Sequence, residues 1–448
     1  MLIPDTIPNK EPVIRVGITL PEDDYTSITL VTPDDQDYQM ESGGRTTMLS
    51  RNQQVLIKLH GEQFTIHINE EELRAESEIR IFPVVSRQAL APQEGVTVKN
   101  VISGRGFHWR KYINVILPGT VIIEKYRQRL LVINELPLEH YLMCVATSEM
   151  GAACPPALIE AQTIAARSWL LANVEQKHRD LGMDVCNDDC CQRYQGTTFL
   201  TEQSVQGALN TYGHVLMYEN KICDARYSKS CGGVMESFDA IWDGAPVPYL
   251  QVVADAAQDP PEWRKPLSEE QNFEYWVNHV PDTFCSPHTI PEDELKKYLG
   301  SVDEEGHYFR WEQEIDPQQL AANLQRHFGA DIREITDIRI ISRGGSGRIN
   351  HLTIDYIDGQ GRKQAFELDS EYKVRQGMHA SFLYSSAFTV RTVRNAQDHV
   401  EKFILKGAGW GHGVGLCQIG ALGMSLKGYS SPEIVSHYYP GSILKKIY

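Results

Sequence analysis

Residues 137 to 173, PLEHYLMCVATSEMGAACPPALIEAQTIAARSWLLAN, constrain the fold of this 448-residue chain more than any other stretch. Their spacing predicts two helices joined at Gly151–Pro156. In the first, Pro137 suits the N1 position, and Leu138, Tyr141, Leu142 and Val145 recur at helical spacing. Glu149 continues that series, so a carboxylate falls near the helix end on the face expected to be buried. In the second, Leu158, Ala161, Ala165, Ser168, Trp169 and Ala172 form an inner stripe, whose alanines favour helix and permit close packing. Glu149 then has two readings. It either turns outward or pairs with Arg167, or it is a general acid whose pKa is raised by an apolar pocket.

Around this pair the signals describe an α+β protein. From Val13 to about Leu131 the segments VIRVGITL, ITLVT, QVLIKL, FTIHI, IRIFPVV, VTVKNVI, INVILPGTVIIEKY and LLVINEL read as short strands, rich in β-branched residues and bounded by polar or Gly/Pro turns. TEQSVQGALNTYG (201–213) reads as a helix with a glycine stop. HVLMYENKIC reads as two strands about a Glu-Asn-Lys turn. Residues 254 to 334 are more helical, and 335 to 358 read as a β-hairpin through a glycine-rich turn. KVRQGMHASFLYSSAFTVRTV and EKFILKGAGWGHGVG continue the strand–turn pattern. Ser431–Pro432 opens a last helix, with Ser as N-cap. The expected organisation is a loose N-terminus (1–12), a β-rich region (13–131), a mixed α/β core with the helical pair and a Cys-rich loop (132–260), a helical insertion (261–334), and a hairpin with a glycine-rich cleft region completing that core (335–448).

A formal charge of -16 argues against nucleic acid or an anionic membrane as partner. A largely neutral polysaccharide is compatible with it. No apolar run approaches the ~18 residues of a membrane span, and the N-terminus shows neither the basic nor the apolar region of a signal peptide. Nine cysteines are an odd count, leaving at least one unpaired within the chain. Vicinal Cys190 and Cys191 fit metal ligation or reduced thiols better than a disulfide framework. Cys186-x3-Cys190-Cys191 can converge on zinc, with His178 as a possible fourth ligand and Cys231 as another. Such a site, lacking an obvious open position, would brace a loop rather than activate water. GAGWGHGVGLCQIG (407–420) has neither G-x-G-x-x-G nor a Walker lysine opening the next helix, which excludes the common nucleotide-binding loops. Its glycines permit a tight turn with close approach to a ligand, or serve the turn alone. Tyr227-Ser228-Lys229-Ser230 has the wrong order for a Ser-x-x-Lys nucleophile. Trp242 and Trp410 are candidate sugar platforms, although a lone Trp is more often core.

Three segments, LPLEHYLMCVATSEM with PPALIEAQTIAARSWLLAN, then ARYSKSCGGVMESFDAIWDGAPVPYLQVV (225–253), then GAGWGHGVGLCQIGALGMSLKGYSSPEIVSHYYPGSIL (407–444), resemble the SpoIID/LytB family of cell-wall proteins in the family's order. GFHWR (106–110) and SRGGSGRINHLTI resemble further family stretches. The resemblance implies a lytic transglycosylase acting on peptidoglycan. Glu149, in the family's S-E-M motif, would be the catalytic acid. One acid suffices when the sugar's own 6-hydroxyl attacks, and no second Glu or Asp is comparably marked. The resemblance makes His412 and Gln418 cleft residues. It aligns Tyr227, Ser228 and Ser230 with a Y-S-x-S-x-G-G pattern whose hydroxyls can meet sugar hydroxyls, and Arg167 with a common family position. The family usually has His where Cys190 stands, followed by Cys-Gln, and some members hold zinc there. The sporulation member acts on glycan stripped of stem peptides, and the family works in the cell envelope. Two other readings stand beside it. One is a non-catalytic amidase enhancer that stimulates a partner amidase, and the other is a zinc hydrolase using the 186–191 cluster.

Overall fold

The structure, a computed structural model, describes residues 1–4, 6–105, 110–151, 153–299 and 306–448. His108 and Trp109 of GFHWR lie outside them. The fold is α+β: among the described residues there are nine helices and 24 strands. They are α1 (Leu138–Glu149), α2 (Pro156–Ala172), α3 (Glu202–Asn210), α4 (Glu270–Val277), α5 (Glu292–Leu299), α6 (Pro317–Phe328), α7 (Glu371–Met378), α8 (Gln418–Leu426) and α9 (Ser431–Tyr438). The chain divides into two units. The first comprises Met1–Asp224, Tyr298–Val302 and Leu444–Tyr448, and the second Ala225–Lys297 and Asp303–Ile443.

The first unit is built on two largely antiparallel sheets of seven and six strands. The strands Gln54–His60 and Gln63–Ile68 alternate buried apolar with outward polar positions, as a sheet packed on one face requires. Every predicted strand region forms strand, and INVILPGTVIIEKY splits at Pro118–Gly119 into Lys111–Leu117 and Thr120–Tyr126. Within residues 13–131 three strands were not foreseen: Tyr38–Ser42, Arg45–Leu49 and Glu71–Ala75. Arg45–Leu49 and Glu71–Ala75 are sheet edges, where polar and charged residues protect the open hydrogen-bonding side at the expense of the hydrophobic signal. The N-terminal residues, without helix or strand, are nonetheless tied down. Leu2 N–H donates to Asp184 Oδ1 (2.6 Å), and Glu11 accepts from Glu139 N–H (2.9 Å) and the Tyr212 hydroxyl (2.9 Å).

The helical pair begins as the strand Arg129–Pro137 ends, with Pro137 as N-cap rather than N1. Burial on α2 is not confined to the predicted stripe: Ile159, Gln162, Thr163 and Ala166 are buried as well, whereas Trp169 is partly exposed. A helix covered on nearly all sides shows little amphipathic contrast. At its centre Arg167 has no exposed surface and forms a two-pronged pair with Glu139, Nε to Oε1 2.9 Å and Nη2 to Oε2 2.6 Å. Glu139 also accepts from Gly213 N–H and the Tyr448 hydroxyl, and Arg167 donates to the His214 carbonyl. The expected pairing of Arg167 with Glu149 is therefore corrected. Glu139, in the first turn of α1, takes that place.

In the second unit, strands 310–315, 400–408 and 388–394 form one antiparallel sheet, and 332–343, 349–358 and 363–368 another, around a core that includes Trp311, Leu324, Ile335, Phe388 and Phe403. The predicted hairpin is present. KVRQGM, expected to continue strands, lies in α7, capped by the Ser370 hydroxyl accepting from Lys373 N–H (3.3 Å). The low helix propensity of Gly377 hid that helix, and Gly377 packs within contact of the Leu368 side chain. The last helix is capped one residue earlier than expected, by Ser430 with Glu433.

Removing one member of a fully buried pair strands the other charge, at a cost of about 3–5 kcal/mol. Arg167→Met and Glu139→Gln should each lower the stability of the first unit by an amount in that range, read as a shifted denaturant midpoint. Unchanged midpoints would show the pair to be dispensable.

Candidate functional site

Six of the predicted site residues lie in the first unit: Glu149, Arg167, His178, Cys186, Cys190 and Cys191. Glu149 is the last residue of α1 and is partly exposed. Its Oε1 accepts from the backbone N–H of Arg193 at 2.9 Å. The loop that supplies this donor is fixed from several directions. Val185–Cys186 adds in parallel to the edge strand Val13–Gly17. Asp188 accepts from the N–H groups of Gly104 (3.0 Å) and Arg105 (2.7 Å), and the Arg105 guanidinium bridges Asp23, Asn187 and Asp188. Gln192 accepts from the Tyr141 hydroxyl of α1 (2.8 Å) and donates to the Ala166 carbonyl of α2 (3.2 Å). The Arg193 side chain returns to Asp189, Nε to Oδ1 3.1 Å. Asp189 is a second carboxylate that the sequence did not mark. Burial, together with the charges of Asp188 and Glu149 and against that of Arg193, pushes its pKa up to about 6. Arg167, whose family position the resemblance marked as a candidate, has no exposed surface, and its guanidinium is committed to Glu139. Its place is structural.

The predicted metal ligands converge. One ligand atom each from His178, Cys186, Cys190 and Cys191 lie within 4.8 Å of one another. Cys186 and Cys190 sulfurs are 3.0 Å apart, and Cys190 Sγ is 3.8 Å from His178 Nε2. Hydrogen bonds from the Cys186 and Cys191 thiols hold the Cys190 thiol far below its usual range, while the bond to Cys190 pushes Cys186 up. Three sulfurs and an imidazole thus face one another, the arrangement a cation would complete. A nitrogen and three sulfurs form a closed set of the kind structural zinc takes, so the residues fit the ion. Cys231, the alternative fourth ligand, belongs to the second unit. The nine cysteines, all among the described residues, form no disulfide.

Tyr227, Ser228, Ser230, His412 and Gln418 lie in the second unit. The two-residue strand Tyr227–Ser228 runs parallel to Leu416–Cys417 and brings the two predicted motifs side by side. Ser230 exchanges backbone hydrogen bonds with Trp410 (3.0 and 2.8 Å). The glycines of the second motif are required by this turn. Gly413 (φ 73°) and Gly415 (φ 71°) are left-handed, and a Cβ on either would meet Arg348 or the Arg226 carbonyl at 2.2 or 2.1 Å. Ser228 Oγ accepts from Gly413 N–H (3.1 Å) and Ser230 Oγ from Gly232 N–H (3.3 Å). With no exposed surface, Ser230 holds its turn rather than meeting sugar, and Gln418, the first residue of α8, is also buried. Tyr227 and His412 retain exposure. The His412 ring meets Trp242 edge-on at 4.9 Å, and Arg226 lies over Trp242 at 4.5 Å. Trp410 is stacked on Tyr384 (4.5 Å). Sequence reasoning missed the side chains that hold this turn together. Arg348 donates to Gly411 and Cys231 carbonyls and to Ser346 Oγ. Buried Glu236 accepts from Ser346 N–H (3.0 Å) and Oγ (2.7 Å). Arg348 lies inside the quoted stretch SRGGSGRIN, and that was its signal.

Comparison with known proteins agrees with this division. The family model described as Stage II sporulation protein matches residues 126–218, which carry α1, α2, Glu149 and the Cys-rich loop. A domain of unknown function (DUF8618) matches 236–415. An uncharacterized protein of Brachyspira hyodysenteriae is 24% identical over 72% of this chain and 70% of its own. Stage II sporulation protein D of Bacillus amyloliquefaciens is 25% identical over 72% of this chain and 78% of its own. The amidase enhancer of Bacillus subtilis is 24% identical over 67% of this chain, which spans 39% of that protein. The helical pair and its loop thus carry a sporulation-protein domain. Residues 126–218 are similar to the SpoIID family.

His412 Nδ1 accepts from Val414 N–H (3.0 Å), so the ring is neutral at that nitrogen. Burial, then the charges of Arg226, Arg348 and Arg375, hold its pKa well below the usual value. An unfolded imidazole titrates near 6.5, roughly. Below that pH the unfolded chain takes up a proton that the native one refuses, so stability falls as pH drops through this window. Between about pH 7.5 and about 5.5, His412→Gln should lose less stability than wild type in parallel denaturation series. Equal losses would mean that His412 is not the group responsible.

Proposed function

We propose that this chain is a peptidoglycan-acting lytic transglycosylase, cleaving the β-1,4 bond between N-acetylmuramic acid and N-acetylglucosamine with Glu149 as its single acid. The observation that carries the reading is the placement of Glu149 at the end of α1, partly exposed, with one carboxylate oxygen fixed by the Arg193 N–H. Glu149 is the group that handles the proton in this reading. Its carboxyl group protonates the glycosidic oxygen as the bond to C1 breaks and oxocarbenium character develops. The 6-hydroxyl of the same muramic residue then adds to C1 and gives its proton to the Glu149 carboxylate. This yields a 1,6-anhydromuramyl end and restores the acid without water. Tyr227 and His412 are the substrate contacts proposed in the second unit. Zinc, held by His178, Cys186, Cys190 and Cys191, would brace the loop that delivers the Arg193 donor. The match to a sporulation protein D over most of that protein supports the reading.

The similarity to an amidase enhancer favours one alternative, in which the chain binds peptidoglycan and stimulates a partner N-acetylmuramoyl-L-alanine amidase. Mass spectrometry of soluble products from intact and stem-stripped glycan separates the two. Wild type should release anhydromuramyl products, and Glu149→Gln should reduce them about 100-fold or more, the usual contribution of a positioned general acid. Reducing-end products would instead indicate a hydrolase and turn attention to Asp189. No products from a folded, glycan-bound wild type would establish the enhancer reading in place of the enzyme.

A further inference from the structure

Cys231, Asp255, Cys285 and Cys417 come from four separate segments of the second unit. Cys231 follows the Tyr227–Ser228 strand, Asp255 ends an extended run, Cys285 sits in the loop at Thr283–Ser286, and Cys417 is the N-cap of α8. One ligand atom from each lies within 4.8 Å of all the others, and all four residues are buried, Asp255 and Cys417 with no exposed surface. We propose that these four side chains bind a structural zinc ion, a second metal site independent of the His178 cluster.

The geometry is that of a zinc cage of three sulfurs and one oxygen. Two thiolates at the ~2.3 Å Zn–S distance, arranged tetrahedrally, stand about 3.8 Å apart. Cys231 and Cys285 sulfurs are 3.8 Å apart. That is far from the ~2.05 Å of a disulfide, and a disulfide between any two of the three thiols would leave the third beside a buried carboxylate. Backbone N–H groups reach into the cluster. Cys417 Sγ accepts from the N–H groups of Cys231 (3.2 Å) and Gly420 (3.3 Å). Asp255 accepts from Cys285 N–H (3.0 Å) at one oxygen and from the Tyr438 hydroxyl (2.6 Å) at the other. Such outer hydrogen bonds orient metal ligands and are part of a built site.

Charge points the same way. A carboxylate without exposed surface needs a cation or a proton. Among the described residues the basic side chain within ion-pair distance of it is His437, Nε2 to Oδ1 4.0 Å, and that nitrogen has no hydrogen-bond partner among them. A divalent ion bound by three thiolates and one carboxylate leaves a net negative centre. The guanidinium of Arg310, a partly exposed residue that donates to the Gly232 carbonyl (2.9 Å) next to Cys231, supplies positive charge beside it. Thiolate ligands select zinc over magnesium or calcium, and four protein ligands leave no open position for catalysis. Bound there, the ion ties the turn carrying Ser228 and Ser230 to the N-terminus of α8 and to the Thr283–Ser286 loop.

Native mass spectrometry and elemental analysis of the full chain, purified under reducing conditions with zinc, test this without regard to enzymatic activity. Wild type should carry two zinc ions. The Cys186→Ser/Cys190→Ser double variant should retain one, and that one should be lost on adding Asp255→Asn or Cys417→Ser. A single zinc in wild type that persists in the double variant would support the second site and remove the first. A single zinc that the double variant abolishes, or no zinc at all, would overturn the proposal. Were the Asp255 and Cys417 variants to misfold, the counts from wild type and the double variant would decide alone.

Discussion

The buried pair of Arg167 and Glu139 is the constraint on which the first unit depends. A guanidinium and a carboxylate without exposed surface persist only when nearly every donor and acceptor is met. Here Glu139 takes Arg167, Gly213 N–H and the Tyr448 hydroxyl, and Arg167 also reaches the His214 carbonyl. One interaction therefore sets α1 against α2, the segment after α3 and the C-terminal residue. Because α1 is a rigid rod, fixing its first turn also fixes the direction of its last. A slip of one residue would rotate Glu149 by about 100° about the helix axis, away from the Arg193 N–H.

The second unit is held differently. Its functional turns have no helix to set their direction, and their shape comes from left-handed glycines around one guanidinium. Arg348 collects carbonyls from Gly411 and Cys231 and the Ser346 hydroxyl, and Ser346 is in turn fixed by Glu236. Burial pushes the Glu236 carboxyl above its usual pKa, with the Ser346 and Ser237 hydrogen bonds and the Arg348 charge opposing that shift. Small residues at 409–415 serve the approach of Arg348 as much as the approach of any ligand.

How much of this the chain discloses by itself depends on whether a feature is local. Helix α1, the strands between 13 and 137 and the Cys-rich loop are written in neighbouring residues, and periodicity finds them. Helix α7 was hidden because Gly377 lowers local helix propensity where close packing against Leu368 demands a small residue. The edge strands at 45–49 and 71–75 were hidden because protecting an edge removes the apolar alternation that identifies a strand. At the site, the four side chains that converge in the first cluster could be grouped from their spacing, and Glu149 could be singled out as a candidate. The partner of Arg167 could not, because Glu139 and Glu149 are both carboxylates within reach on one short helix and only the third dimension chooses between them. Ser230 and Gln418 were read as surface groups because a motif records which residues recur, not which way they face.

The cysteines make the same distinction in its sharpest form. Cys186, Cys190 and Cys191 lie within six residues, so their spacing alone suggests a shared ligand. Cys231 and Cys417 meet across a separation of 186 residues, and Cys231 was accordingly offered only as an alternative fourth ligand of the first cluster. Once the fold joins them, a different argument becomes available. Apolar side chains would fill that space at no electrostatic cost, since replacing a buried charged cluster by well-packed hydrophobic residues is often neutral or stabilising. Three thiols and a carboxylate in its place, with backbone N–H groups directed at sulfur and oxygen, are the costlier choice unless a cation joins them. The cost of burying such a cluster without a cation is therefore itself the argument for its ligand.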